Sequence, residues 1–135
     1  MPQPEFEAKF VLEATVSPSE DPEKVIRAME SVLGGASCER STGPGSVRLT
    51  TEDPKALVHV RDQLRDRHVR SAARRQMLLN STGRSTSLML NRQAATAGVL
   101  ALCGSPDESP LGPIYLTVRS ERIAAAMDWL TAYAG

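Results

Sequence analysis

Apolar and polar side chains alternate at the start of the chain. Phe6, Ala8, Phe10, Leu12, Ala14 and Val16 are apolar, while the odd positions Glu5, Glu7, Lys9, Glu13 and Thr15 are polar. Successive side chains of a strand point to opposite faces, so a period of two over residues 5–16 predicts a strand with one buried and one wet face. Such a strand belongs to a sheet covered by helices on one side only. The period then lengthens. Val25, Ile26, Met29, Val32 and Leu33 fall on one helical stripe, with Asp21 placed to cap that helix, Pro22 at its first position and Gly34-Gly35 ending it. A weak strand over 36–40, a Thr-Gly-Pro-Gly hairpin turn and a strand over 46–50 come next.

A second helix begins at Asp53 with a stripe of Leu57, Val60 and Leu64, and a further stripe uses Val69, Ala72, Ala73 and Met77. The step from Leu64 to Val69 breaks the rhythm of three and four, which predicts a kink or short break near 65–67. Ser81-Thr82-Gly83 closes this region. Leu88–Leu90 and the run Gly98–Cys103 read as buried strands, with 91–97 a short helix or turn between them. Ile114, Leu116 and Val118 alternate with Tyr115, Thr117 and Arg119 in another strand, and Ile123, Ala126, Met127 and Leu130 form the apolar stripe of a closing helix. A strand, a short polar capping residue and a helix recur in that order three times. The expected fold is therefore a single α+β domain whose sheet is covered by helices on one side.

Composition agrees with one domain: 135 residues, 41% apolar and 24% charged, are ordinary for a globular chain large enough to bury a core. No apolar run reaches the length of a membrane span, and MPQPEFEAKF lacks the apolar stretch of a signal peptide, so a cytoplasmic protein is expected. Cys38 and Cys103 are too few and too far apart for a disulfide framework and are expected to be free thiols.

Charge changes the picture more. The chain is neutral overall, but between Arg61 and Arg92 eight arginines face only Asp62 and Asp66, a net +6 that leaves −6 for the remainder. Such asymmetry suggests one face meant for an anionic partner. Arginine supplies 13 of the 16 basic residues, and its planar fork suits bidentate phosphate contact and stacking on bases. Arg67, Arg70 and Arg74 stand at i, i+3 and i+7, with Arg75 beside them, Arg61 and Arg65 earlier and Arg84 and Arg92 later. A ridge of this kind would neutralise several phosphates and bind nucleic acid with a steep salt dependence. The blander reading is a solvated helix face with Asp62–Arg65 and Asp66–Arg70 pairs. The hydroxyl-rich stretch 80–87 reads as a polar turn into a strand, with phosphate or 2′-hydroxyl contacts as the alternative.

Other chemistry finds no pattern. There is no phosphate-binding glycine loop, no Gly-x-Ser-x-Gly elbow, no His-Glu-x-x-His and no K-homology Gly-x-x-Gly clamp. Five aromatic residues cannot furnish the stacking platform of an RNA recognition motif. Cys38, His59, His68 and Cys103 share no ligand spacing, so neither a metal nor another cofactor is expected, and no catalytic constellation emerges.

Four segments carry a resemblance. Glu-Ala-Thr-Val-Ser-Pro-Ser-Glu-Asp-Pro-Glu-Lys-Val at 13–25, Ala-Arg-Arg at 73–75, Ser-Thr-Ser-Leu-Met-Leu-Asn-Arg-Gln-Ala-Ala at 85–95 and Ser-Pro-Leu-Gly-Pro-Ile at 109–114 resemble, in the same order, a small archaeal family of uncharacterised proteins predicted to bind RNA. The resemblance implies an α+β fold of one mostly antiparallel sheet with helices packed on one face, similar to the large-subunit ribosomal protein that holds 5S ribosomal RNA. It also marks Arg74, Arg75, Asn91, Arg92 and Gln93 as candidate RNA contacts, and it brings no catalytic residue. Two expectations follow. The first is a non-enzymatic protein that binds structured RNA, with ribosomal RNA among the candidates, through Arg61, Arg65, Arg67, Arg70, Arg74, Arg75, Arg84, Asn91 and Arg92. The alternative is an interaction module, a homodimer or a dock for an acidic protein, in which the −6 remainder complements the +6 segment of a second copy.

Overall fold

The computed structural model describes residues 6–131. Five strands, β1 (Lys9–Thr15), β2 (Glu39–Gly43), β3 (Ser46–Thr51), β4 (Ser85–Leu90) and β5 (Ile114–Arg119), form one sheet in the order β2-β3-β1-β5-β4. Every pairing is antiparallel. Five helices, α1 (Pro22–Val32), α2 (Pro54–Asp66), α3 (Arg70–Asn80), α4 (Arg92–Thr96) and α5 (Ile123–Thr131), join them.

The alternation seen at the N-terminal end decides which face is covered. Phe10, Leu12 and Ala14 are buried, and they pair in register with Thr51, Leu49 and Val47 on one side. On the other side Phe10 and Leu12 pair with Val118 and Leu116, and Leu88 and Leu90 of β4 continue the same buried face. Against it pack Ile26 and Met29 of α1, Leu57, Val60 and Leu64 of α2, Met77 of α3 and Leu130 of α5. The opposite face carries Val11, Glu13, Arg48, Thr50, Tyr115 and Thr117, all exposed or half-exposed.

Capping follows the expected chemistry. Asp21 and Asp53 accept hydrogen bonds from the backbone N–H of Glu23 and Lys55, each with a proline opening the helix behind it. At the third junction the Ser120 hydroxyl accepts from the Arg122 N–H while donating to the Glu7 carbonyl. Gly34 and Gly35 leave α1 with φ of 62° and 80°.

Four expectations are corrected. The first strand is shorter than its alternation, ending at Lys9 and Thr15, and Glu5 lies outside the described residues. β2 begins at Glu39 rather than 36, because the side chains of Asp53 and Thr51 hold the backbone of Ser37 and draw that segment out of the ladder. Ala72 is exposed; only Ala73 and Met77 of its stripe are buried. Gly98–Cys103 is not a strand of the sheet. Its end touches β4 through a Leu90–Leu102 bridge and the Cys103 N–H to the Met89 carbonyl, while Leu100 is buried. The apolar run is thus a buried connection lying along the sheet edge, and burial without alternation does not distinguish the two.

Two neighbouring glycines give a test. A Cβ at Gly34 would lie 2.4 Å from His59 Cγ and 2.7 Å from His59 Cβ, whereas at Gly35 nothing lies within 4 Å. Gly35→Ala is expected to cost only the left-handed backbone penalty, about 1 kcal/mol, and Gly34→Ala clearly more, about 2–3 kcal/mol. Chemical denaturation of the two variants measures the difference.

Candidate nucleic-acid interface

The predicted helix break is a helix C-cap of defined geometry. Arg67 caps α2, and His68 adopts φ 57°, a left-handed conformation in which histidine is enriched among non-glycine residues. The His68 N–H donates to the Arg65 carbonyl at 3.1 Å and the Val69 N–H to the Leu64 carbonyl at 3.1 Å, the paired bonds of a Schellman ending. Val69 is half-buried after buried Leu64, so the apolar stripe crosses the break. α3 then starts at Arg70 without a side-chain cap. Arg67 therefore lies before α3 rather than on it, and the predicted single face of Arg67, Arg70 and Arg74 is divided between two elements.

The sequence-predicted residues have unequal fates. Arg61 is turned inward: its guanidinium lies 4.8 Å from the Trp129 ring centre and its Nε donates to the Trp129 carbonyl at 3.0 Å. Arg65 bridges Asp62 and Asp66, at 3.6 Å and 3.2 Å, so the expected Asp62 pair forms and Asp66 turns to Arg65 as well. Arg70 is half-buried and engaged. Arg74 reaches across to Asp128 of α5 at 2.7 Å and to the Thr131 hydroxyl at 3.3 Å. Arg67 and Arg75 are exposed and have no ion pair among the described residues.

Arg84 pairs with Glu121 at 3.1 Å, beyond the far end of α3, an eleven-residue helix about 16 Å long. Asn91 is a structural cap: its side-chain oxygen accepts from the Ala94 N–H at 2.9 Å. Arg92 corrects the expectation most sharply. Its side chain is only 5% exposed, donating to both Glu20 carboxylate oxygens at 3.0 and 2.8 Å and to the Thr15 carbonyl at 2.7 Å. It faces the interior and presents nothing to a ligand. Its backbone N–H donates to Ser109, whose hydroxyl also bonds the Gly112 carbonyl, so Arg92 braces the loop that holds Leu111 at φ 68°.

What remains together is the α2–α3 corner. Residues 65–80 hold five arginines and one acid. The ion pairs of Arg65 and Arg74 are solvent-exposed, and exposed pairs contribute about 0–1 kcal/mol, so a phosphate can replace either carboxylate at little cost. Sequence reading passed over a second cationic site. Lys9 and Arg119 stand directly opposite each other across β1 and β5 on the open face, and neither has an ion pair among the described residues. The signal was the same alternation that found the core, read for its wet half. Among the described residues there is no cluster of three or more metal-ligating side chains and no helix long and apolar enough to cross a membrane.

Comparison with known proteins places the chain. No family model matches it. A UPF0201 protein of Sulfurisphaera tokodaii is 31% identical over 126 residues, spanning 91% of this chain and 86% of the relative. One from Pyrobaculum calidifontis is 34% identical over 115 residues, spanning 83% and 80%. The chain belongs to the UPF0201 family. Its fold agrees with that of family members: a crystal structure of the UPF0201 protein from Methanococcus jannaschii superposes with a TM-score of 0.76 at 21% identity, covering 94% of this chain and 95% of the other. A second, described as an uncharacterized UPF0201 protein, gives 0.69 at 25% identity, covering 85% and 84%. The motif residues at 85–95 and 109–114 fall, in this member of the family, on β4, the Asn91 cap, the Arg92–Glu20 pair and the Ser109 loop.

The Arg92–Glu20 pair can be tested. Burial alone would raise the Glu20 carboxyl, but hydrogen bonds from the Ser17 N–H and from Arg92, with the guanidinium charge, outweigh it and hold its pKa below the usual 4.5. A lowered folded pKa gives stability that is complete above 4.5 and is lost as pH falls from there through the folded value. Arg92→Met is expected to destabilise the fold by about 3 kcal/mol at pH 7, because it strands a largely buried carboxylate. Thermal melts between neutral and acid pH are expected to show the gap narrowing as Glu20 protonates.

Proposed function

We propose that this protein is a non-catalytic binder of structured RNA and that its contact surface is the α2–α3 corner. The observation that carries the reading is the pair of exposed, unneutralised arginines, Arg67 and Arg75, in a stretch with five arginines and one acid. Arg70 and Arg74 lie between them on α3, and Arg65 stands one turn before. Polyanion binding rewards this arrangement, since each phosphate contact releases condensed counterions. Asn91 and Arg92 drop out of the contact set, and Arg61 and Arg84 stand at its margins. The segments that resemble this family imply a fold akin to the large-subunit ribosomal protein that holds 5S ribosomal RNA, and that makes ribosomal RNA the first partner to try.

Filter binding of the wild type and of an Arg67→Glu/Arg75→Glu variant to ribosomal RNA, transfer RNA and a plain duplex, across a salt series, tests the reading. The wild type is expected to bind with an affinity that falls steeply with salt, and the variant to lose about tenfold or more with a shallower slope. No binding by the wild type in low salt, or equal binding by both proteins, overturns it.

A further inference from the structure

We propose that the open face of the sheet docks the same face of a second copy of this chain, about a two-fold axis that passes over Val11 and Thr117. Strand register on that face is self-complementary. On β1, Lys9 and Glu13 lie two residues to either side of Val11; on β5, Arg119 and Tyr115 lie two residues to either side of Thr117. Val11 and Thr117 are themselves a cross-strand pair, as are Lys9 with Arg119 and Glu13 with Tyr115. A two-fold axis in the plane of the interface and perpendicular to the strands reverses these rows. It sets Lys9 against Glu13 of the second copy and Arg119 against the Tyr115 ring of the second copy, each contact made twice, with Val11 meeting its own counterpart on the axis. Within one chain Lys9 and Glu13 are about 13 Å apart and do not interact.

Three features of the face fit this occupant. Lys9 and Arg119 are like charges placed directly opposite, an unfavourable cross-strand pair that no acid within 4 Å relieves among the described residues. Glu7, Glu52 and Glu121 line the depression beside them without closing an ion pair to either. Tyr115 is 41% exposed next to half-exposed Met89, a small apolar patch on the face. The face also carries both signs: Glu13 meets Arg48 of β3 through one carboxylate oxygen at 3.2 Å, leaving its other oxygen for Lys9 of the second copy, and Glu39 stands on the same face as Arg48 and Arg119. A polyanion favours one sign, whereas an isologous partner requires both.

Five strands at ~4.8 Å and five or six residues at ~3.3 Å give a footprint on the order of 400 Å² per copy before side-chain relief, about half that of a standard interface. The dimer is therefore a reversible one. It turns both helical layers outward, and it stands whether or not the α2–α3 corner binds RNA.

Sedimentation velocity of the full chain over a concentration series reaching about 1 mM reads the association directly. The wild type is expected to dimerise, less so as salt rises. Lys9→Glu and Glu13→Lys, each alone, set like charges against each other twice across the axis and are expected to weaken the dimer about tenfold or more. The double variant K9E/E13K restores both opposite-charge contacts, and so does an equimolar mixture of the two single variants; both are expected to dimerise again. Lys9→Glu places an acid across from Arg119, so its thermal midpoint is expected not to fall, which separates lost docking from lost folding; Glu13→Lys also breaks the Arg48 pair of its own chain, so its melting midpoint is measured alongside and its dimerisation is read only where the fold is retained. A wild type that stays monomeric throughout overturns the proposal, as does a dimer indifferent to the single reversals or one that neither the double variant nor the mixture recovers. A monomer in which Lys9→Glu instead removes RNA affinity assigns the face to RNA and equally overturns it.

Discussion

Burial of one face of a five-stranded antiparallel sheet is the constraint from which the remaining structure follows. Phe10 and Leu12 sit at its centre with neighbours on both sides, and each is fully buried. A sheet whose other face is wet can close its core only with helices on one side, so all the helical stripes must turn the same way. That demand explains the helix break after Leu64. The stripe of α2 ends there, and a left-handed residue at His68 re-aims the chain so that Ala73 and Met77 reach the same core.

The same geometry sorts the charges. A run of arginines along the chain becomes several different structural roles once α2, α3, β4 and α4 are folded against their neighbours. Arg61 packs on Trp129, Arg74 meets Asp128 and Arg92 enters the interior to meet Glu20, partners that lie 54 to 72 positions away. The Arg92 pair is the most consequential of these. Desolvating two charges is costly, and it is offset here by Arg92 Nη1 donating to both Glu20 oxygens, by the Thr15 carbonyl and by the Ser109 loop that the same segment supports. Charge that reads as a binding ridge in one dimension is partly structural cement in three.

The helical layer and the open sheet face thus offer two surfaces with different character. The α2–α3 corner holds five arginines against one acid over residues 65–80, which suits a polyanion. The sheet face is mixed in sign and apolar near Tyr115, which suits a protein surface and above all its own copy. Because they lie on opposite sides of the sheet, neither use obstructs the other.

Much of the fold was legible in the sequence because alternation and helical stripes record burial directly. β1, β5, the caps at Asp21 and Asp53, the Gly34-Gly35 exit and the break before Val69 all follow from local pattern and capping chemistry. The run Gly98–Cys103 was misread because burial without periodicity does not say whether a segment pairs in a sheet or lies along its edge. The site was legible only as a concentration of arginines. Which of them remain available is a matter of partners brought from distant parts of the chain, and no spacing rule contains that information: Arg92 stands in a family motif yet is buried, while Arg67 and Arg75 are left open to solvent. The wet half of the first strand was equally plain in the sequence, but that Lys9 faces Arg119, and that both rows are symmetric about Val11 and Thr117, was decided by strand register. Register is set across the sheet by the burial of the other face, and so belongs to the tertiary structure alone.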